Sequence, residues 1–224
     1  MALTGASNEE KIWNFLYSHI KNAYGTAGLM GNLYAESALR PNNLQDVFEK
    51  KLGYTDESYT NAVDSGRYSG FVRDSAGYGL AQWTFWSRKQ AMYNFVKGKG
   101  KSIADLETQL EFLIEELKSL YPTVWEKLLK ATSVKTASNV VLTEYEAPGN
   151  QSDGVKTTRA NYGQTYFDRY THAKEQQVIE SNKKQVDFYK ASAYAKYLVT
   201  TGGHLISNSG GDERGKISGG KAGD

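Results

Sequence analysis

The sequence contains no cysteine, which excludes disulfide scaffolds, thiol nucleophiles, iron–sulfur clusters and cysteine zinc sites together. Proline occurs only 3 times in 224 residues, so long helices are permitted. No run approaches the ~20 apolar residues that cross a bilayer, and 23% of residues are charged; no membrane partner is expected. An excess of one charge is missing too. With 27 basic against 25 acidic residues the net charge is +2, too even to argue for a nucleic-acid partner. The opening MALTGASNEE has neither the basic nor the apolar region of a signal peptide. There is no phosphate loop, no H-E-x-x-H and no G-x-S-x-G. The three histidines, His19, His172 and His204, are too widely spaced for a metal motif, so neither metal nor cofactor is expected.

Aromatic residues make up 12% of the chain, led by 16 tyrosines. A tyrosine combines a flat apolar face with a hydroxyl, which suits sugars and ordinary protein interfaces alike.

The pattern along the chain is mainly α. Ser7-Asn8-Glu9-Glu10 has the form of a capping box ahead of Ile12, Trp13, Leu16 and Ile20, which share one helical face. A second helix is expected from about Thr26, with Gly28, Gly31 and Ala35 allowing close approach by a neighbour. Pro41 ends it at or before Arg40. Residues 42–79 carry no sustained period and read as a long loop or a small hairpin. Leu106, Leu110, Leu113, Ile114, Leu117 and Leu120 form a helical stripe, and Pro122 opens a further helix. A helix from Ala137 to Glu144 is broken by Ala147-Pro148-Gly149, and Tyr162, Tyr166, Phe167 and Tyr170 fall on a last turn-rich segment. The expected organisation is a helical domain over 1–173, a linker helix over 174–198 and a glycine-rich tail over 199–224. The tail is either disordered or the start of a second module.

Three clusters carry potential chemistry. Glu36 closes an otherwise apolar helix, where the helix dipole and packing against Leu33 both oppose ionisation. A carboxylic acid kept neutral there would suit protonation of a glycosidic oxygen; a helix-terminal glutamate facing water has the same spacing. In Gly77-Tyr78-Gly79-Leu80-Ala81-Gln82-Trp83-Thr84, the glycines allow a tight turn, Tyr78 and Trp83 could stack on sugars, and Gln82 could bond hydroxyls. A packed turn is the plainer reading. In Thr143-Glu144-Tyr145-Glu146-Ala147-Pro148, a helix ends against a proline, and Tyr145 and Glu146 either anchor that end or reach a ligand.

Taken in order, GLMGNLYAESALRPNNLQ, GYGLAQWTFWSRK and TEYEAPGNQ resemble the phage tail lysozyme family, a branch of the lysozyme-like superfamily, over roughly residues 8–171. The order also echoes goose-type lysozymes and lytic transglycosylases. The resemblance implies a lysozyme-like helical fold and a hydrolase of bacterial peptidoglycan cutting β-1,4 bonds between amino sugars. It places the general acid on Glu36. It places substrate contacts on Gln45, on the Gly79, Leu80, Gln82, Trp83 and Thr84 turn beside Tyr78, and on Tyr145 and Glu146. Relatives usually read Tyr-Glu-Arg-Pro where this chain has Tyr145-Glu146-Ala147-Pro148, which gives Tyr145 the stronger claim. A second carboxylate, about 5 to 9.5 Å from the first in such enzymes, has four candidates: Asp46, Glu49, Asp74 and Glu146. A lytic transglycosylase or a non-catalytic glycan-binding tail module are the alternatives. The resemblance implies action from a phage tail or as a released lysin, with tail proteins or another lysin subunit as partners. SNSGGDERGKISGGKAGD is similar to the opening of papain-like peptidoglycan amidase or endopeptidase modules, whose cysteine this chain lacks.

Overall fold

The computed structural model describes the backbone of residues 3–200 and the side chains of 3–172 and 179–192. Among these residues the helices are α1 (Asn8–Ile20), α2 (Ala23–Ser37), α3 (Asp46–Leu52), α4 (Asp56–Asp64), α5 (Trp86–Gly98), α6 (Leu106–Leu120), α7 (Pro122–Leu129), α8 (Val134–Val140) and α9 (Asp153–Thr200). A π-helical turn, Val141–Glu146, follows α8 directly. The β pairing among them is confined to two isolated antiparallel bridges, Leu44 with Tyr78 and Tyr78 with Trp83.

The helix starts follow local chemistry. Ser7 Oγ accepts the Glu10 N–H at 3.2 Å, while the Glu10 carboxylate accepts the Ala6 N–H at 2.8 Å, so the cap closes one residue further back than a capping box would. Ile12, Trp13, Leu16 and Ile20 of α1 are buried, as are Leu110, Leu113, Ile114 and Leu117 of α6. Pro122 occupies the first turn of α7.

Helix α2 is the centre of the fold. Every residue from Gly25 to Leu33 is buried, because α1, α7 and α8 all pack on it. A Cβ on Gly28 would lie 2.5 Å from Ala137 Cβ, and one on Gly31 would lie 2.5 Å from the backbone nitrogen of Gly163. The small residues of α2 therefore seat α8 on one side and α9 on another.

Two expectations are corrected. Residues 42–79 hold the short helices α3 and α4 in place of a loop or hairpin. Local caps make them: Gly53 ends α3 in the left-handed region, and Thr55 and Ser58 form a reciprocal capping box on α4. Tyr162 to Tyr170 lie within α9 and not on a turn-rich segment. The residues Met1–Lys174 form one unit and Glu175–Asp224 another. The described part of the second is helical, with Ile179, Val186, Phe188 and Tyr189 exposed. The glycine-rich stretch from Gly202, with its amidase-like resemblance, lies outside the described residues.

Candidate functional site

Glu36 sits in the last turn of α2. The helix stops there because Ala38 and Leu39 both take positive φ, 51° and 61°. Ser37 Oγ lies 3.1 Å from the Leu33 carbonyl and 2.9 Å from that of Leu80, which ties the helix end to the turn at 77–84. That turn needs a glycine at 79: its φ is 78°, and a Cβ would come 2.7 Å from Gln109 Oε1. The same oxygen accepts the Leu80 N–H at 2.9 Å, and the Gln109 amide donates to the carbonyls of Pro41 and Ile103 at 2.6 Å each. Gln109 is thus the buried peg that holds the turn against the Pro41 loop.

The result is a polar cavity of about 260 Å3 lined by Glu36, Asn43, Gln45, Asp46, Val47 and Gln82. Its amides are fixed by the backbone. Gln45 Oε1 accepts the Gly77 N–H at 3.1 Å, and Gln82 Nε2 donates to the carbonyl and side-chain oxygens of Asn43 at 3.0 Å each. Such pre-oriented amides can address hydroxyls or acetamido groups without further ordering.

The residue that sequence reading missed is Arg159. Its Nη2 stands 2.5 Å from Glu36 Oε1, with the arginine side chain 11% exposed and the glutamate 18%. Its Nη1 donates to Asn32 Oδ1 at 3.2 Å, and the Asn32 amide in turn reaches the Gly28 and Ser138 carbonyls at 2.9 and 3.1 Å. Arg159 is therefore held in place by α2 and α8 before it meets Glu36. The signal available in sequence was indirect, since Gly163 one turn later allows α9 to press against Gly31.

The π-helical turn delivers the third motif. Its wider winding turns Tyr145 into the core, where the hydroxyl donates to Glu116 Oε2 at 2.7 Å. Glu116 also accepts the Trp83 indole N–H at 3.0 Å and both arms of Arg88, at 2.7 and 2.9 Å. This buried charge pair is fully hydrogen-bonded, the condition under which such pairs are tolerated. Glu146 follows, and Ala147, at φ 43°, ends the turn. Glu146 Oε1 is closed to solvent and has no hydrogen-bond partner. Burial, and then the negative charge of Glu36, push this carboxyl well above the usual carboxylate range, while Arg88 and Arg159 pull it the other way.

Several sequence expectations change here. Glu36 does not stand in apolar surroundings alone, since Arg159 pairs with it. Tyr78 and Trp83 are fully buried, with the Tyr78 hydroxyl 2.6 Å from that of Thr60, so neither has a face to offer a sugar. Tyr145 is likewise a core residue. Thr84 is exposed but off the cavity wall, its hydroxyl donating to the Gln82 carbonyl at 2.8 Å, and Gly79 serves the turn. Gln45 and Gln82 are on the wall. Among the candidate second carboxylates, Asp74 is committed to the fold: it pairs with the buried Lys89 at 2.6 Å and accepts from the hydroxyls of Tyr59 and Tyr68. Glu49 does not line the cavity, whereas Asp46 shares it with Glu36.

Among the described residues no group of acidic and histidine side chains is placed to hold a metal ion, and no helix is long and apolar enough to cross a membrane. The polar cavity brings Glu36 and Gln45 of the first motif together with Gln82 of the second, while the third motif places Tyr145 in the core. The family model for phage tail lysozymes matches residues 7–170, well over half the chain, and the protein belongs to the phage tail lysozyme family.

Proposed function

We propose that the protein cleaves β-1,4 bonds between the amino sugars of peptidoglycan glycan strands, with Glu36 as general acid. Membership of the phage tail lysozyme family makes it a lysozyme-like hydrolase of the bacterial cell wall. The observation that supports the finer reading is the placement of Glu36 on the wall of a cavity otherwise lined largely by amides and one further carboxylate. Amides bind sugar hydroxyls and acetamido groups, Glu36 protonates the leaving oxygen as positive charge develops on the sugar ring, and Asp46 activates water or steadies that charge. The ion pair with Arg159 is the resting arrangement: proton donation requires the guanidinium to turn away and Glu36 to carry the proton.

The test is clearance of purified cell walls. Wild type should clear them, Glu36→Gln should lose at least about a hundredfold in rate, and mass spectrometry of the new ends should show hydrated reducing sugars. Anhydro ends would replace the water step with attack by a substrate hydroxyl. Equal clearance by Glu36→Gln would end the assignment of Glu36, and strand binding without clearance by the wild type would favour an adhesion module delivered with a phage tail.

A further inference from the structure

Lys89 of α5 is a lysine closed off from solvent, and it takes no part in the cavity wall. Its side chain is 0% exposed and that of Asp74 4%, with Nζ 2.6 Å from Asp74 Oδ1. The hydroxyls of Tyr59 and Tyr68 both donate to Asp74 Oδ2. Desolvating two charges is costly, and apolar residues of similar volume commonly stabilise a core as well or better. Stability alone therefore does not account for this pair, and its remaining bonds point elsewhere. Both backbone groups of Ala76 end on it: Lys89 Nζ donates to the carbonyl at 2.7 Å, and Asp74 Oδ1 accepts the N–H at 3.0 Å. The chain arrives there through Ser75 at φ 62°, a left-handed conformation that a serine seldom adopts. Gly77 follows, and its two backbone groups hold Gln45. The Gly77 N–H donates to Gln45 Oε1 at 3.1 Å, and the Gly77 carbonyl accepts the Gln45 N–H at 2.9 Å. Gly77 also abuts Gln82, since a Cβ on it would lie 2.6 Å from Gln82 Oε1.

We propose that Lys89 and Asp74 are positioning residues of the site, fixing through Ala76 and Gly77 the direction in which Gln45 presents its amide to the strand. This rests on the glycan reading of the Glu36 cavity given above. Because the Gln45 oxygen is engaged by Gly77, its NH2 is the end left to donate into the cavity. Gln82 is engaged through its NH2, by Asn43 and the Gly79 carbonyl, so its oxygen is the end left to accept. A peptide unit displaced at Ala76 would free Gln45 to rotate and mispair. The buried charges prevent that displacement, because moving Ala76 would strip hydrogen bonds from a lysine and an aspartate that water cannot reach. Their influence on substrate is thus carried by the backbone, and neither residue touches the strand.

The experiment replaces the pair in the full chain by Lys89→Met with Asp74→Leu and measures cleavage of soluble, peptide-free glycan strands, with thermal denaturation to report the fold. The Michaelis constant should rise about tenfold while kcat stays within about twofold, the mark of lost binding with the acid untouched. In a Gln45→Ala background the same replacement should raise the constant less than about threefold, because the route to substrate is already cut. An equal rise in both backgrounds would mean a general loosening of the core and would overturn the proposal. So would an unchanged constant in a folded variant. Should the apolar pair fail to fold, Lys89→Met with Asp74→Asn decides: it keeps an acceptor for the Ala76 N–H and removes the bond to the Ala76 carbonyl. A rise of about threefold or more then supports the role, and no rise ends it. A wild type that cuts no strand overturns the glycan reading itself, which is a different failure.

Discussion

Arg159 reaches Glu36 at 2.5 Å only because Gly31 and Gly163 let two helix backbones touch: a Cβ on Gly31 would lie 2.6 Å from the Arg159 carbonyl oxygen. Packing and site geometry are one feature here. The helix crossing sets where the guanidinium emerges, and Asn32 sets its direction.

Replacing Arg159 by methionine should therefore act on both stability and activity. It leaves a mostly buried Glu36 carboxylate and the Asn32 oxygen without their partner, at a cost on the order of 3 kcal/mol. The double variant Arg159→Met with Glu36→Gln should recover part of that loss, since the uncompensated charge is gone. Urea denaturation of the four proteins in the cycle measures the coupling. Simple additivity would mean that the ion pair contributes nothing.

Gly163→Ala should be worse than its size suggests. The added Cβ would meet the Ala27 carbonyl at 2.7 Å and Val134 Cγ1 at 2.8 Å, and neither a helix backbone nor a buried valine can yield cheaply. Overpacking of this kind costs about 1–3 kcal/mol. Wall clearance should fall with it, because α9 carries Arg159 outward as it shifts. Thermal denaturation alongside the clearance assay separates the two effects. An unchanged midpoint would show that the helices are not in tight contact.

Trp83→Phe distinguishes a core role from a cleft-wall role. The indole donates to the buried Glu116 carboxylate, so phenylalanine removes one of the three donors on Glu116 Oε2 and leaves space where the larger ring was, at a cost of about 1–3 kcal/mol. The Michaelis constant for walls should stay within about twofold, because no part of Trp83 is exposed. A large rise in that constant with unchanged stability would return Trp83 to the binding surface.

The pattern of the sequence reveals the helices with long apolar stripes, α1 and α6, and the small-residue face of α2, because periodicity reports burial directly. It does not reveal α3 and α4, whose 7 and 9 residues are too short for a period and depend on Gly53, Thr55 and Ser58 as caps. The motifs bring Glu36, Gln45, Gln82 and Glu146 to attention, but not which of them share a cavity. Whether a tyrosine or tryptophan faces solvent is decided by partners far away in the chain: Glu116 draws in both Trp83 and Tyr145. Arg159 is invisible for the same reason. Its neighbour Gly163 marks a close helix contact but not the partner, and the role of Arg159 comes from the crossing of α9 over α2.

Glu146 yields the sharpest dependence on pH. Its carboxyl is raised in the folded protein by burial first and by the charge of Glu36 second, so folding takes up a proton in the interval between the unfolded and folded values. The contribution of this group to stability is fully present below the ordinary carboxylate range and is lost as pH rises through the raised folded value. Glu146→Gln removes that dependence while keeping the shape of the neutral acid. The variant should match wild type in melting temperature near pH 4 and exceed it increasingly towards alkaline pH, the opposite of what loss of a salt-bridged carboxylate would give. If Glu146 also passes its proton to Glu36, the same variant should clear walls at least about tenfold more slowly at the pH optimum despite being the more stable protein. A glutamine enzyme with undiminished activity would confine Glu146 to a packing role, and one that falls below wild type in stability as pH rises would show that the carboxyl is ionised and paired in the folded chain.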